Sequence, residues 1–105
     1  MSALTDQLAE LNTDAVNAAT ELSDLEREVS RAENEVDQVR KRTTRDQELL
    51  DSGAIYSGKQ LEEIQHEIAS LLRRQSELED AQLEVMERAE AAQNTADTLK
   101  SSISE

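Results

Sequence analysis

From Leu4 onward this chain repeats an apolar residue at alternating steps of four and three, and the rhythm holds without a slip for most of its length. The first run reads Leu4, Leu8, Leu11, Ala15, Ala18, Leu22, Leu25, Val29, Ala32, Val36, Val39, Thr43, Asp46 and Leu50, and 12 of these 14 positions are apolar. The second reads Leu61, Ile64, Ile68, Leu71, Gln75, Leu78, Gln82, Val85, Ala89, Ala92, Ala96, Leu99 and Ile103, with 11 of 13 apolar. A mean period of 3.5 residues keeps one stripe of a helix facing a partner helix, which is the signature of a coiled coil. Composition leaves few alternatives. With 36% hydrophobic residues and a single aromatic, Tyr56, the 105 residues cannot fill a compact globular core. A third of the chain is charged, which suits either disorder or a coiled coil, and the two seams decide for the coiled coil.

The rhythm breaks once. Leu50 and Leu61 are 11 residues apart, a four-residue slip from strict heptads. Both glycines, Gly53 and Gly58, fall inside that gap, and the chain has no proline. In a helix interior each glycine costs about 1 kcal/mol relative to alanine, so a turn is the better reading. Gly53 suits the left-handed position just past a helix end. Ser57 and Gln60 have the spacing of a capping box, and Tyr56 and Leu61 that of a hydrophobic staple. The expectation is an all-α fold: a long antiparallel coiled-coil hairpin with arm one over 3–52, a tip at 53–57, and arm two over 58–103. At 1.5 Å per residue each arm runs roughly 70–75 Å.

Antiparallel pairing sets residues against each other whose numbers total a constant, and two totals fit the seams. A total of 114 puts Leu50 against Ile64, Leu25 against Ala89, Leu22 against Ala92 and Ala15 against Leu99, with large facing small. A total of 107 stacks Ala18 on Ala89 and Ala15 on Ala92, giving a tighter waist. Both keep the heptad phase. Opening at Gly53–Gly58 would also let two chains exchange arms, so a monomeric hairpin and a homodimer are both compatible with the seams.

Charge is segregated. Residues 1–39 carry two basic and ten acidic side chains, net −8; residues 75–105 carry two and eight, net −6; residues 40–74 carry seven and six, net +1. A hairpin therefore has an acidic open end, where the arms repel at low salt. Its tip half holds Arg40, Lys41, Arg42, Arg45, Lys59, Arg73 and Arg74. Together with Tyr56 these form a candidate docking site for a protein partner of acidic character. The competing reading is that the cations cover the seam and pair with Asp46, Glu48, Glu62, Glu63 and Glu67. Nucleic acid fits poorly, because the chain has net charge −13 and no aromatic platform for bases. Off the seam, Leu72, Leu83 and Met86 read either as a widened core beside Gln75 and Gln82 or as a second contact surface.

Catalytic chemistry has no foothold. The lone histidine, His66, sits outside the seam beside Gln65 and Glu67, and reads as a surface residue. The chain has no cysteine, no Gly-rich phosphate loop and no nucleophile spaced to meet a base. Metal or cofactor binding would need converging ligands that this sequence does not present. No apolar run reaches the length of a membrane span, and the segment "MSALTDQLAELNTD" lacks the basic and apolar parts of a secretory signal. The cytoplasm is the expected location.

The run "SGKQLEEIQHEIASLLRRQSELEDAQLEVMER" resembles the hairpin region of the bacterial four-cysteine zinc-ribbon proteins, and "LEREVSRAENEVDQVRKRTTRDQELLDSGAIYS" is similar to the first arm of actinobacterial members. The likeness covers about residues 22–90 and is most specific from Lys59 to Met86. It implies a helical hairpin joined to a C-terminal zinc ribbon, and a regulatory or nucleic-acid-binding role. Some relatives in flagellated bacteria are similar to adaptors that bind an alternative sigma factor and flagellar export components. All four cysteines are missing here, so no zinc site carries over, and the family's N-terminal helical extension is missing too. The expectation is the coiled-coil portion of a longer protein. Three functional readings follow: an adaptor that presents a basic tip, a structural spacer or oligomerisation coil, and the stalk of a nucleic-acid-binding regulator.

Overall fold

A computed structural model of the protein describes residues 2–55 and 57–104. They form two helices, α1 (Ala3–Asp51) and α2 (Gly58–Ser104), which pair as an antiparallel coiled-coil hairpin. Ser2 caps α1 by accepting the Thr5 N–H on its hydroxyl at 3.2 Å. The chain divides into two compact units, one of Met1–Ser30 with Glu84–Glu105 and one of Arg31–Leu83.

In the unit of Arg31–Leu83, Val36 on α1 and Ile68, Leu71 and Leu78 on α2 are buried, Val36 most completely at 2% exposure. Ala32, Val39, Thr43, Asp46, Leu50, Ile64, Gln75 and Gln82 are half-buried along the same stripe. Every one of these is a seam position. Among the described residues two ion pairs cross between the helices. Arg42 reaches Glu67 at 3.1 Å and Arg40 reaches Glu79 at 3.6 Å. Arg42 and Glu67 each precede a seam residue, whereas Arg40 and Glu79 each follow one, so the pairs lie on opposite edges of the seam.

Those two pairs select the register. Their residue numbers total 109 and 119, which bracket 114 evenly. With a total of 114, Arg40 lies level with residue 74, five residues or about 7.5 Å along the axis from Glu79, within reach of two long side chains. With 107 it would lie level with residue 67, twelve residues or about 18 Å away, which the side chains cannot span. Val36 therefore faces Leu78, Thr43 faces Leu71, Asp46 faces Ile68 and Leu50 faces Ile64. Burying each Val or Leu of these layers contributes about 1.5–3 kcal/mol.

Not every seam position is covered. Leu61 heads the second seam but is 38% exposed. Its partner position in this register is residue 53, a glycine in the turn that has no side chain to cover it.

In the unit of Met1–Ser30 with Glu84–Glu105, Ala18, Leu25 and Ala92 are buried. Leu11, Ala15, Leu22, Val29, Val85, Ala89, Ala96, Leu99 and Ile103 are half-buried. A shallow groove is lined from α1 by Asp14, Asn17, Ala18 and Glu21, and from α2 by Asn94, Thr95, Thr98 and Leu99. The same total of 114 brings these turns together, with Ala15 opposite Leu99 and Ala18 opposite Ala96. Leu4 and Leu8 begin the first seam in the sequence, yet both are exposed, Leu4 at 75%.

Gly53 makes the turn. Its φ of 71° is the left-handed conformation that costs an L-residue about 1–2 kcal/mol. Ser52, which sequence reasoning passed over, closes the end of α1: its hydroxyl donates to the Leu49 carbonyl at 2.8 Å and accepts the Ala54 N–H at 3.2 Å. Ser57 caps α2 by accepting the Gln60 N–H at 3.1 Å, the bond expected of a capping box. Gly58 differs from its expected turn-forming role. It is the first residue of α2, with open space where a Cβ would stand and no left-handed φ, so nothing in its conformation requires glycine.

Candidate partner-binding tip

The cations of the tip half are not equivalent, and the helix face each occupies explains why. Arg40 and Arg42 flank the seam on opposite edges and are drawn across it to Glu79 and Glu67. Lys41 pairs within α1 with Asp37 at 2.9 Å, one turn earlier, and Arg74 pairs within α2 with Glu77 at 3.8 Å. Among the described residues, Arg45, Lys59 and Arg73 have no carboxylate within 4.0 Å. The acids expected to neutralise the tip were mostly the wrong ones. Of Asp46, Glu48, Glu62, Glu63 and Glu67, only Glu67 forms an ion pair among the described residues.

The structure also distributes the cations where the sequence suggested one belt. Arg40 serves one edge of the seam and Arg42 the other. On α1 a shallow groove of about 370 Å³ is lined by Arg40, Lys41, Thr44, Arg45 and Glu48, three cations to one acid. This basic concavity lies on α1 alone. Tyr56, placed by sequence reasoning in both the staple and the docking site, lies outside the described residues.

Asp46 went unnoticed as a site residue. It occupies a seam layer opposite Ile68, and its Oδ2 is buried with no hydrogen-bond partner. The other polar side chains of the seam here fare better. Thr43 donates its hydroxyl to the Val39 carbonyl at 2.9 Å, and Gln75 donates to Glu79 at 2.9 Å. The signal for Asp46 was in the sequence, as a carboxylate on an otherwise apolar stripe, but its lack of a partner depended on the register.

Leu72, Leu83 and Met86 are all exposed, Leu83 at 58%. That removes the widened-core reading, since none of the three tucks beside Gln75 or Gln82. Leu49 and Val16, which sequence reasoning did not single out, are likewise exposed off the seam. His66 is exposed on α2. Among the described residues no three His, Cys, Asp or Glu side chains gather as metal ligands, and the zinc implied by the family resemblance finds no thiolate in a chain without cysteine.

Two long helices with a glycine turn, a largely apolar heptad seam and salt links at its edges define a coiled-coil hairpin protein. Across residues 1–105 the chain matches the family model of the CT398-like coiled coil hairpin domain, and it belongs to that family. It is 57% identical over 77 residues to "Uncharacterized protein Rv2229c" of Mycobacterium tuberculosis strain H37Rv, a match covering 71% of this chain and 31% of that protein. It is 43% identical over 67 residues to "Uncharacterized protein ML1638" of Mycobacterium leprae, covering 64% of this chain and 28% of the relative. The matched region thus spans less than a third of either mycobacterial protein. No solved structure matches the chain.

Proposed function

We infer that this chain is a non-enzymatic coiled-coil adaptor whose tip half docks an acidic segment of a protein partner. The observation that carries the reading is the uneven use of the tip cations. Four are committed to the chain's own carboxylates, while Arg45, Lys59 and Arg73 are left without one among the described residues, and Arg45 shares a groove with Arg40 and Lys41. Elsewhere the chain is strongly acidic, so an acidic partner is repelled from the rest of the molecule and steered to this region. No helix is long and apolar enough to cross a membrane, and a cytoplasmic partner suits a regulatory adaptor.

The test compares wild type with the triple variant Arg45→Glu, Lys59→Glu, Arg73→Glu. These three residues make no link between the helices, so the variant leaves the hairpin's own ion pairs in place. Circular dichroism checks that its helicity is unchanged. Binding of a fluorescent poly-glutamate peptide is measured at low and at physiological salt, alongside capture of partners from a bacterial lysate. Loss of both peptide binding and a captured partner from the variant supports docking at the tip. Equal binding by both proteins sinks it, and favours the second reading, a structural spacer. That reading has its own support, since four tip cations already answer to internal acids.

A further inference from the structure

The seam of the Arg31–Leu83 unit carries an unresolved conflict. In the observed register, Val39 faces the amide of Gln75 and Ile68 faces the carboxylate of Asp46, whose Oδ2 is buried without a partner. Meanwhile Leu61, in phase with the seam, stands exposed. The 107 register resolves all three. It brings Val39 against Ile68 and keeps Val36 on a leucine, now Leu71. It covers Leu61 with Asp46, in the last layer beside the turn where water reaches the carboxylate. Val39 would gain an apolar partner and Asp46 a solvated end, while Gln75 passes from Val39 to Ala32 and Gln82 from Ala32 to the level of Leu25. The turn also favours it: the helix ends, Asp51 and Gly58, total 109, nearer to 107 than to 114.

Two contacts oppose the change. Leu50 would give up Ile64 and move to the turn. Arg40 would lose Glu79, the one cross-helix ion pair that 107 cannot make, whereas Arg42 and Glu67 stay within reach in both registers. The balance is therefore close, with apolar pairing and carboxylate solvation on one side and one leucine layer and one ion pair on the other.

We propose that this hairpin is a two-register device, in which α2 slides as one rod along α1 by one heptad, about 10 Å, with Arg40–Glu79 as the latch and Asp46 as the destabilising element. The heptad phase is preserved, so each seam residue meets a new partner and no helix rotates. The slide needs no docked partner and stands independently of the adaptor reading. Its product is a tip with Arg40 level with Glu67 and Lys59 level with Glu48, a rearranged charge pattern. A minor state of roughly 0.1–10% population is enough for such a device to be biased by a ligand.

The chain has no cysteine, so pairs can be introduced singly. Thr43→Cys is combined with Leu71→Cys to report 114, with Ile64→Cys to report 107, and with Leu78→Cys to report an equal slide in the opposite direction. Disulfide formation in a glutathione buffer is followed by mass, counting only intramolecular product. The 43–71 pair should close fastest. The 43–64 pair should close several-fold faster than 43–78, faster still with Glu79→Gln, and more slowly with Asp46→Leu. Equal rates for 43–64 and 43–78, with and without Glu79→Gln, overturn the proposal. Should circular dichroism show that a pair unfolds the hairpin, Val36→Cys with Leu78→Cys or Leu71→Cys gives the same comparison from a second layer.

Discussion

Arg40 and Glu79 meet at 3.6 Å across one edge of the seam, and with Arg42–Glu67 on the other edge this contact fixes one heptad alignment of the two helices. Arg40 is exposed and Glu79 half-buried, so the value of the contact lies in specifying the register more than in strength. A double-mutant cycle with Arg40→Ala and Glu79→Ala should give a coupling of about 0.2–1 kcal/mol. Urea denaturation at 0.05 M and 1 M salt checks it, and the coupling should vanish at the higher concentration.

Asp46 should be a place where the chain can be made more stable. Removing a buried carboxylate oxygen that has no partner, and filling the layer with a hydrocarbon, relieves about 1–3 kcal/mol of desolvation. Asp46→Leu is therefore expected to raise the urea midpoint with no change in the slope of the transition. A lower midpoint would mean that the carboxylate is satisfied in solution.

The two glycines should part company. Gly53→Ala forces an L-residue into a φ near 71° and should cost about 1–2 kcal/mol. Gly58→Ala places a methyl group in open space in the first turn of α2 and should stabilise by about 0.4–1 kcal/mol. Thermal melts of the two variants should move in opposite directions.

Seam and off-seam residues of similar chemistry should differ in the same way. Val36→Ala removes two buried carbons and should cost about 1.5–2.5 kcal/mol, at about 0.8 kcal/mol per methylene plus a cavity term. Leu83→Ala, at an exposed position, should stay within about 0.5 kcal/mol of wild type. A large loss at Leu83 would show that a second copy or another segment covers it in solution.

Capping serines complete the set. Ser57→Ala and Ser52→Ala each remove a side-chain bond to backbone at the turn, and each should cost about 0.5–2 kcal/mol. Ser52 is the more informative, because its hydroxyl both donates and accepts.

Periodicity and turn chemistry were local, and local information was enough for the helices, their junction and the class of fold. Heptad spacing named the buried residues Val36, Leu71 and Leu78, and the glycine and serine preferences marked Gly53 and Ser57. A heptad pattern is indifferent to sliding by seven residues, so it left 107 and 114 open. For the same reason it overcounted the seam. Leu61 carries the right spacing, but spacing does not reveal whether a partner side chain lies opposite. The tip cations were legible as a cluster along the chain, yet which were neutralised was not. Ion pairing across the helices depends on axial alignment to within a few ångströms, and that alignment is a property of the pair of helices. What the sequence alone determined was therefore that two helices form and which stripes face inward. Only the tertiary structure decided which rung of α2 meets which rung of α1, and with it the solitary carboxylate of Asp46, the latch of Arg40 on Glu79 and the exposure of Arg45, because those depend on distances between residues far apart in the chain.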